Sequence, residues 1–208
     1  HEGVLSDLLY NDLARRALTI PADGDITEAA QLLSEIVTYS DGAVMDTVAG
    51  FPMHRGVLAI GRRRPAESVA GMLAVLPDRA LVVGLVGIAN HDNVGAIFRN
   101  AAGFGADAVL LDRTCCDPLY RKAIRVSVGA ALRVPFAVAS DVDSLVDELA
   151  ASHFDILALS PRGDRDIASV HPGRRTALLL GTEGEGLPPR LLARLDTVRI
   201  PMAPGFDS

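Results

Sequence analysis

From residue 81 onward the apolar and polar positions fall into a regular rhythm. Leu81–Val86 is a continuous apolar run, the pattern of a parallel strand covered on both faces. Comparable short runs occupy 108–111, 135–138, 156–159, 177–180 and 198–200. Between them the spacing lengthens to the helical period. It predicts helices from about Val94 to Phe104, from Pro118 to about Val128, and from Asp141 to about Ala151. Pro188 and Pro189 open a short fourth helix. Strands alternating with helices in this way predict an α/β domain with a mostly parallel sheet.

The N-terminal third is less regular. Leu5 to Leu18 reads as an amphipathic helix, and Thr27 caps a second one reaching about Val37. Val44–Val48 reads as a short helix and Val57–Ile60 as a strand. The first natural break is Gly61-Arg-Arg-Arg-Pro65. The expected organisation is therefore a small α+β domain over 1–64, a connector over 65–80, and the α/β domain over 81–208. The chain starts at His1 rather than methionine, so the first domain is expected to be N-terminally incomplete.

Composition narrows the class. The chain has 208 residues, 49% hydrophobic and 22% charged, enough apolar matter for a real core and too much for a disordered chain. The two cysteines are neighbours, Cys115 and Cys116, which excludes a disulfide scaffold and gives no metal-ligand spacing. No apolar run reaches the ~18 residues of a membrane span, and no signal peptide is visible, so a cytoplasmic protein away from membranes is expected. The formal net charge of −6 argues against an overall basic surface but leaves room for a local basic patch. Lys122 is the one lysine; the other basic residues are arginines, whose forked guanidinium groups suit phosphate recognition.

In parallel sheets ligands bind beyond the carboxyl ends of the strands. The loops to inspect are then Gly87–Gly95, Ser160–Asp166, Gly181–Gly186 and Pro201–Ser208. Gly181-Thr-Glu-Gly-Glu-Gly-Leu-Pro188 lets the backbone approach a ligand closely, with a tight surface turn as the alternative. It lacks the Gly-Lys-Ser/Thr of a P-loop and the third glycine of a dinucleotide fingerprint. Asn93 sits where a helix N-cap belongs. Arg99 falls about two turns into that helix, from where its long side chain could reach back over the crevice. Arg113, Arg121, Lys122 and Arg125 make a basic stretch in which Arg121 and Arg125 share a helix face, an arrangement suited to phosphate. A second cluster is Arg62–Arg64, with Arg55 nearby. The five histidines are scattered without metal spacing, and no nucleophile elbow occurs, so neither a metal site nor a hydrolase triad is expected.

Three segments together resemble the SpoU (TrmH) branch of the SPOUT RNA methyltransferases. They are Asn93-Val-Gly-Ala-Ile-Phe-Arg99-Asn-Ala-Ala-Gly-Phe-Gly105, Leu179-Leu-Gly181-Thr-Glu183-Gly-Glu-Gly186-Leu187, and Ile200-Pro201-Met202 leading to Ser208. Asp117-Pro-Leu-Tyr with Arg125 to Gly129 looks like the stretch between the first two. The resemblance covers about Leu81 to Ser208. Gly50-Phe-Pro-Met-His-Arg-Gly56 resembles the end of the small RNA-binding domain that often precedes it.

The resemblance implies a trefoil-knotted SPOUT domain, S-adenosylmethionine as cofactor, an RNA ribose 2′-hydroxyl as acceptor, and a homodimer. Carried over by motif position, Leu159, Gly181, Ile200, Met202 and Ser208 would cradle the cofactor. Asn93, Arg99 and Glu183 would form the catalytic polar core. RNA contacts are expected at Arg55, Arg113, Arg121, Lys122 and Arg125. Arginine stays protonated in proteins, so Arg99 is expected to clamp the acceptor rather than act as a base, with Glu183 orienting its neighbours. The third motif normally runs past its serine into Leu-Asn and a helix, so a domain lacking its C-terminal helix is expected. Ribosomal RNA is the preferred acceptor. Transfer RNA, or a non-catalytic RNA-binding protein on the same fold, are the alternatives; a nucleotide-dependent oxidoreductase is disfavoured by the broken glycine fingerprint.

Overall fold

Short apolar runs become strands here because both faces of the sheet are covered. The computed structural model describes residue 63 and residues 65–203. The domain expected over 1–64, with Arg55, lies almost wholly outside the described residues, as does Ser208.

Ser68 caps a first helix, α1 (Val69–Val75), by accepting the Gly71 N–H at 3.0 Å. The expected connector over 65–80 therefore contains a helix. Then come β1 (Ala80–Leu85), α2 (His91–Gly103), β2 (Ala108–Asp112), α3 (Arg121–Val126) and a 3-10 turn at Ala130–Leu132. They are followed by β3 (Phe136–Ala139), α4 (Val142–Ala151), β4 (Asp155–Leu159) and the two-residue β5 (Arg165–Asp166). After a 3-10 turn at Ile167–Ser169 come β6 (Arg175–Leu180), α5 (Pro189–Leu192) and β7 (Asp196–Arg199).

The seven strands form one sheet in the order β3-β2-β1-β6-β4-β7-β5. Every pairing is parallel. The central pair is long in sequence: Ala80 lies opposite Arg175 and Leu85 opposite Leu180. The chain moves outward from β1 to β3, then crosses over to build the other half. All carboxyl ends consequently lie along one edge.

The period of two sorts the core into layers. Val82, Leu110 and Leu179 face one side, where Leu73 of α1, Leu145 and Leu149 of α4 and Leu191 of α5 close over them. Leu85, Val109 and Leu111 face the other, against Val94 and Phe98 of α2. Phe98 is fully buried and meets Phe136 edge-on, ring centroids 5.8 Å apart. Burying a side chain of this size stabilises by roughly 1.5–3 kcal/mol. Helices α2 and α3 approach closely at Gly95, where a Cβ would lie 2.8 Å from the Ala123 carbonyl oxygen.

Candidate active site

Four adjacent strands, β1, β6, β4 and β7, send their carboxyl-end loops to one place. Those loops, with one face of α2, enclose a cleft of about 480 Å³, within the range typical of small-molecule sites. Asn93, Ala96, Ile97 and Asn100 line it from α2 at positions i, i+3, i+4 and i+7. Leu159 and Ser160 come from the end of β4, Gly181–Leu187 from the loop after β6, and Ile200 and Met202 from beyond β7.

The loop after β6 is a closed turn. Thr182 and Gly186 exchange backbone hydrogen bonds, at 3.2 Å and 3.0 Å. Gly184 and Gly186 take φ of 96° and 73°, a region that disfavours side chains. At Gly181 the main chain of Gly186 and Leu187 passes so close that a Cβ would lie 2.5 Å from the Gly186 carbonyl oxygen, and closer still to Gly186 C and Leu187 N. The glycines expected to admit a ligand thus also let the loop fold onto its own base.

At the cleft mouth Asn93 Nδ2 donates to Glu183 Oε2 at 3.2 Å, joining the first two motifs. Asn93 is not the helix cap. Asn90 is, its side chain accepting the Asp92 N–H at 2.9 Å, and α2 opens at His91, one turn earlier than the apolar spacing suggests. The helix reaches one turn further back than its apolar residues, so Asn90 caps it and Asn93, within the first turn, meets Glu183.

The structure therefore brings together Asn93, Glu183, Leu159, Gly181, Ile200 and Met202. Arg99 is not among the lining residues. It is exposed on α2, three residues after the lining Ala96 and next to the lining Asn100. Arg121, Lys122 and Arg125 lie exposed on α3, and Lys122 Nζ pairs with Asp92 at 2.7 Å. Arg113 is set apart from them, on the rim of a second cleft of about 500 Å³ across the loop, with Gly87, Thr182 and Arg190.

Two residues the motifs do not single out hold the β1 loop in place. The Asp112 carboxylate, buried at the end of β2, accepts the backbone N–H groups of Gly87 at 3.2 Å, Thr114 at 3.1 Å and Cys115 at 3.1 Å, and the Thr114 hydroxyl at 2.8 Å. Cys115 Sγ accepts the Ile88 N–H and donates to the Leu85 carbonyl, both at 3.3 Å. Burial pushes this thiol up to about 12, so it keeps the proton it donates. The available signal was an acid ending an otherwise wholly apolar strand. Among the described residues no cluster of His, Cys, Asp and Glu could hold a metal ion, and no helix is long and apolar enough to cross a membrane.

The cleft suits S-adenosylmethionine in its chemistry. Ile200 and Met202 stand 52% exposed at its wall, an apolar surface of the kind a flat ring would pack on. Asn93, Ser160 and Glu183 supply hydrogen-bonding groups for a charged, polar end.

Comparison with known proteins agrees with this geometry. Residues 80–208 match the model of the SpoU rRNA Methylase family. A Mycobacterium bovis protein named as an uncharacterized tRNA/rRNA methyltransferase is 47% identical over 219 aligned positions, which cover 100% of this chain and 74% of that protein. The AdoMet-bound SpoU methyltransferase AviRb of Streptomyces viridochromogenes superposes with a TM-score of 0.61 at 25% identity, covering 69% of this chain and 56% of that one. An AdoMet-bound rRNA methyltransferase from Sinorhizobium meliloti shares the fold, with a TM-score of 0.67 at 21% identity over 88% of this chain and 71% of its own. The chain belongs to the SpoU rRNA methylase family of S-adenosylmethionine-dependent RNA methyltransferases.

Proposed function

We propose that this protein methylates a ribose 2′-hydroxyl of ribosomal RNA, and that it does so as a homodimer with a trefoil-knotted catalytic domain. The observation that carries the reading is the Asn93–Glu183 hydrogen bond at the mouth of an apolar cleft, because it sets polar groups beside the place the cofactor would occupy. Leu159, Gly181, Ile200 and Met202 would hold S-adenosylmethionine, with Ser208 completing the cradle. When bound, that cofactor supplies a methyl group already activated by its sulfonium. What remains for the protein is placement of the acceptor and removal of its proton.

Arg99, exposed and permanently cationic, would clamp an acceptor phosphate arriving from solvent. Asn93 holds the Glu183 carboxylate in one orientation at the cleft mouth. Glu183 would take the proton of the acceptor hydroxyl and pass it to water. Arg55, Arg113, Arg121, Lys122 and Arg125 would contact the RNA backbone. Large apolar side chains left in solvent, Phe104 at 84% and Leu132 at 65% exposure, support a partner surface on the α2 side.

The test is transfer of labelled methyl from S-adenosylmethionine to unmodified ribosomal RNA, followed by alkaline digestion. Alkali needs a free 2′-hydroxyl, so label should survive in uncut dinucleotides. Label confined to mononucleotides would mean base methylation and would refute the acceptor. Label in transfer RNA but not ribosomal RNA would refute the substrate.

A further inference from the structure

The loop and helix segment 118–140 contains no Asp or Glu and carries Arg121, Lys122, Arg125 and Arg133. At its start stands an aromatic pair that the reaction chemistry does not use. Tyr120 precedes α3 and is 49% exposed. Its ring lies 4.3 Å, centroid to centroid, from the ring of His91, tilted by 45°. His91 is the first residue of α2, and Asn93 follows two residues later, a helical rise of about 3 Å.

The local fold does not explain the tyrosine. Tyr120 occupies the N-cap of α3, where Ser, Thr, Asp or Asn would satisfy orphan N–H groups, and its side chain makes no capping bond. Among the described residues it is the one exposed tyrosine, its ring standing partly in water. It is braced, however. His91 supports one side of the ring, and the Lys122–Asp92 ion pair ties the same two helix starts together at 2.7 Å. A braced, half-exposed ring on a helix that also presents Arg125 is suited to stacking an unpaired nucleobase while a phosphate meets the arginine.

We infer that Tyr120, backed by His91, is a stacking platform for an unpaired RNA base near the acceptor ribose. The inference rests on the RNA-methylating reading above. It makes Tyr120 a contact for a base, independent of the phosphate contacts on the same helix. It also states what form the RNA takes here, since a base within a duplex cannot offer its face to the ring.

The test uses the whole chain, a fluorescein-labelled 12-nucleotide single-stranded RNA of mixed sequence, and the same strand in a perfect duplex. Anisotropy titrations compare wild type with Y120A, Y120L and Y120F. Y120A and Y120L should weaken single-strand binding about fivefold or more, the lower end of what base–aromatic stacking confers. Y120F should restore it, because the ring and not the hydroxyl is needed. Duplex binding should change less than twofold. The slope of log Kd against log salt should stay the same, since no phosphate contact is lost. Unchanged melting temperature and S-adenosylmethionine affinity would show that the variants fold. Single-strand binding by Y120A within twofold of wild type would overturn the platform, as would an equal loss on the duplex or failure of Y120F to rescue. Methyl transfer to RNA by wild type separates the two levels. If it occurs and Y120A binds normally, only the platform falls. If wild type neither binds nor methylates RNA, both readings fall.

Discussion

Gly181→Ala is the sharpest single perturbation of the cleft. The added Cβ would lie 2.5 Å from the Gly186 carbonyl oxygen, against an ordinary contact of 3.4–4 Å, and the closest neighbours are all backbone atoms that cannot rotate away. The loop 182–187 must therefore retreat by roughly 1 Å, and because its Thr182–Gly186 hydrogen bonds close it on itself, the exposed tip moves with its base. Overpacking of this kind costs about 1–3 kcal/mol, or roughly 2–12 °C in melting temperature for a chain of this size. The functional cost should be larger. A displacement of about 1 Å in a positioning element lowers rates on the order of 100-fold, and the moved loop carries Glu183. The assay is calorimetric titration with S-adenosylmethionine, paired with methyl transfer to RNA. Gly103→Ala is the control: its Cβ would meet nothing within 4 Å, and it lies at the far end of α2. Cofactor affinity of Gly181→Ala within threefold of wild type, with normal turnover, would refute the claim that this backbone approach shapes the site.

Asp112→Ala should destabilise the domain by about 2 kcal/mol: the Gly87 N–H loses its acceptor at ~1–3 kcal/mol, while the Cys115 N–H keeps the main-chain carbonyl of residue 112 and the exposed Thr114 recovers water. Asp112→Asn keeps an acceptor oxygen and should cost about 1 kcal/mol; equal urea midpoints for the two variants would refute the network. Asp141 accepts the Ser144 N–H at 2.8 Å, and that bond, with Ser144 and Ser140 hydroxyls, holds its carboxyl below the ordinary value of 3.8. Its contribution is therefore full above that ordinary value and lost as pH falls through the lower folded value. Wild type should lose its stability margin over Asp141→Ala in acid unfolding curves run from pH 6 to pH 2, and a constant margin would contradict the assignment. Cys115, its thiol raised to about 12 by burial, should resist iodoacetamide at pH 8.5 until the protein is unfolded. Mass spectrometry of the native protein would show rapid labelling at Cys115 if the Ile88–Cys115–Leu85 chain of hydrogen bonds were absent.

Much of this architecture can be read from residue pattern, for identifiable reasons. The run at 81–86 announces a strand because a parallel sheet buries both faces, and β1 lies within one residue of it at each end. Asp141 declares its helix because its capping bond is local. What stayed hidden depends on contacts between distant parts of the chain. Nothing in the order of the runs says that β6 inserts beside β1, although that insertion gathers the loops into one cleft. Helix α1 is hard to read from the pattern because Gly71 interrupts a short apolar stretch set between Pro65 and Pro77. The motifs name Asn93 and Glu183 separately; their hydrogen bond spans 90 positions and needs the fold. Arg99 shows the converse. Its place in a motif suggests the crevice, and it stands exposed on α2 between the lining Ala96 and Asn100 without being part of the wall itself.

The pairing of Ala80 with Arg175 has a consequence for how the protein is made. At a synthesis rate of about 5–20 residues per second, β1 leaves the ribosome roughly 5–20 s before β6 exists to cover its flank. During that interval β1 can pair only with β2, and its other edge offers unpaired backbone groups to any passing strand. Nascent chains stalled before residue 175 should therefore be the most aggregation-prone species in the life of this protein, and the methyl-donor cleft one of the last features to form.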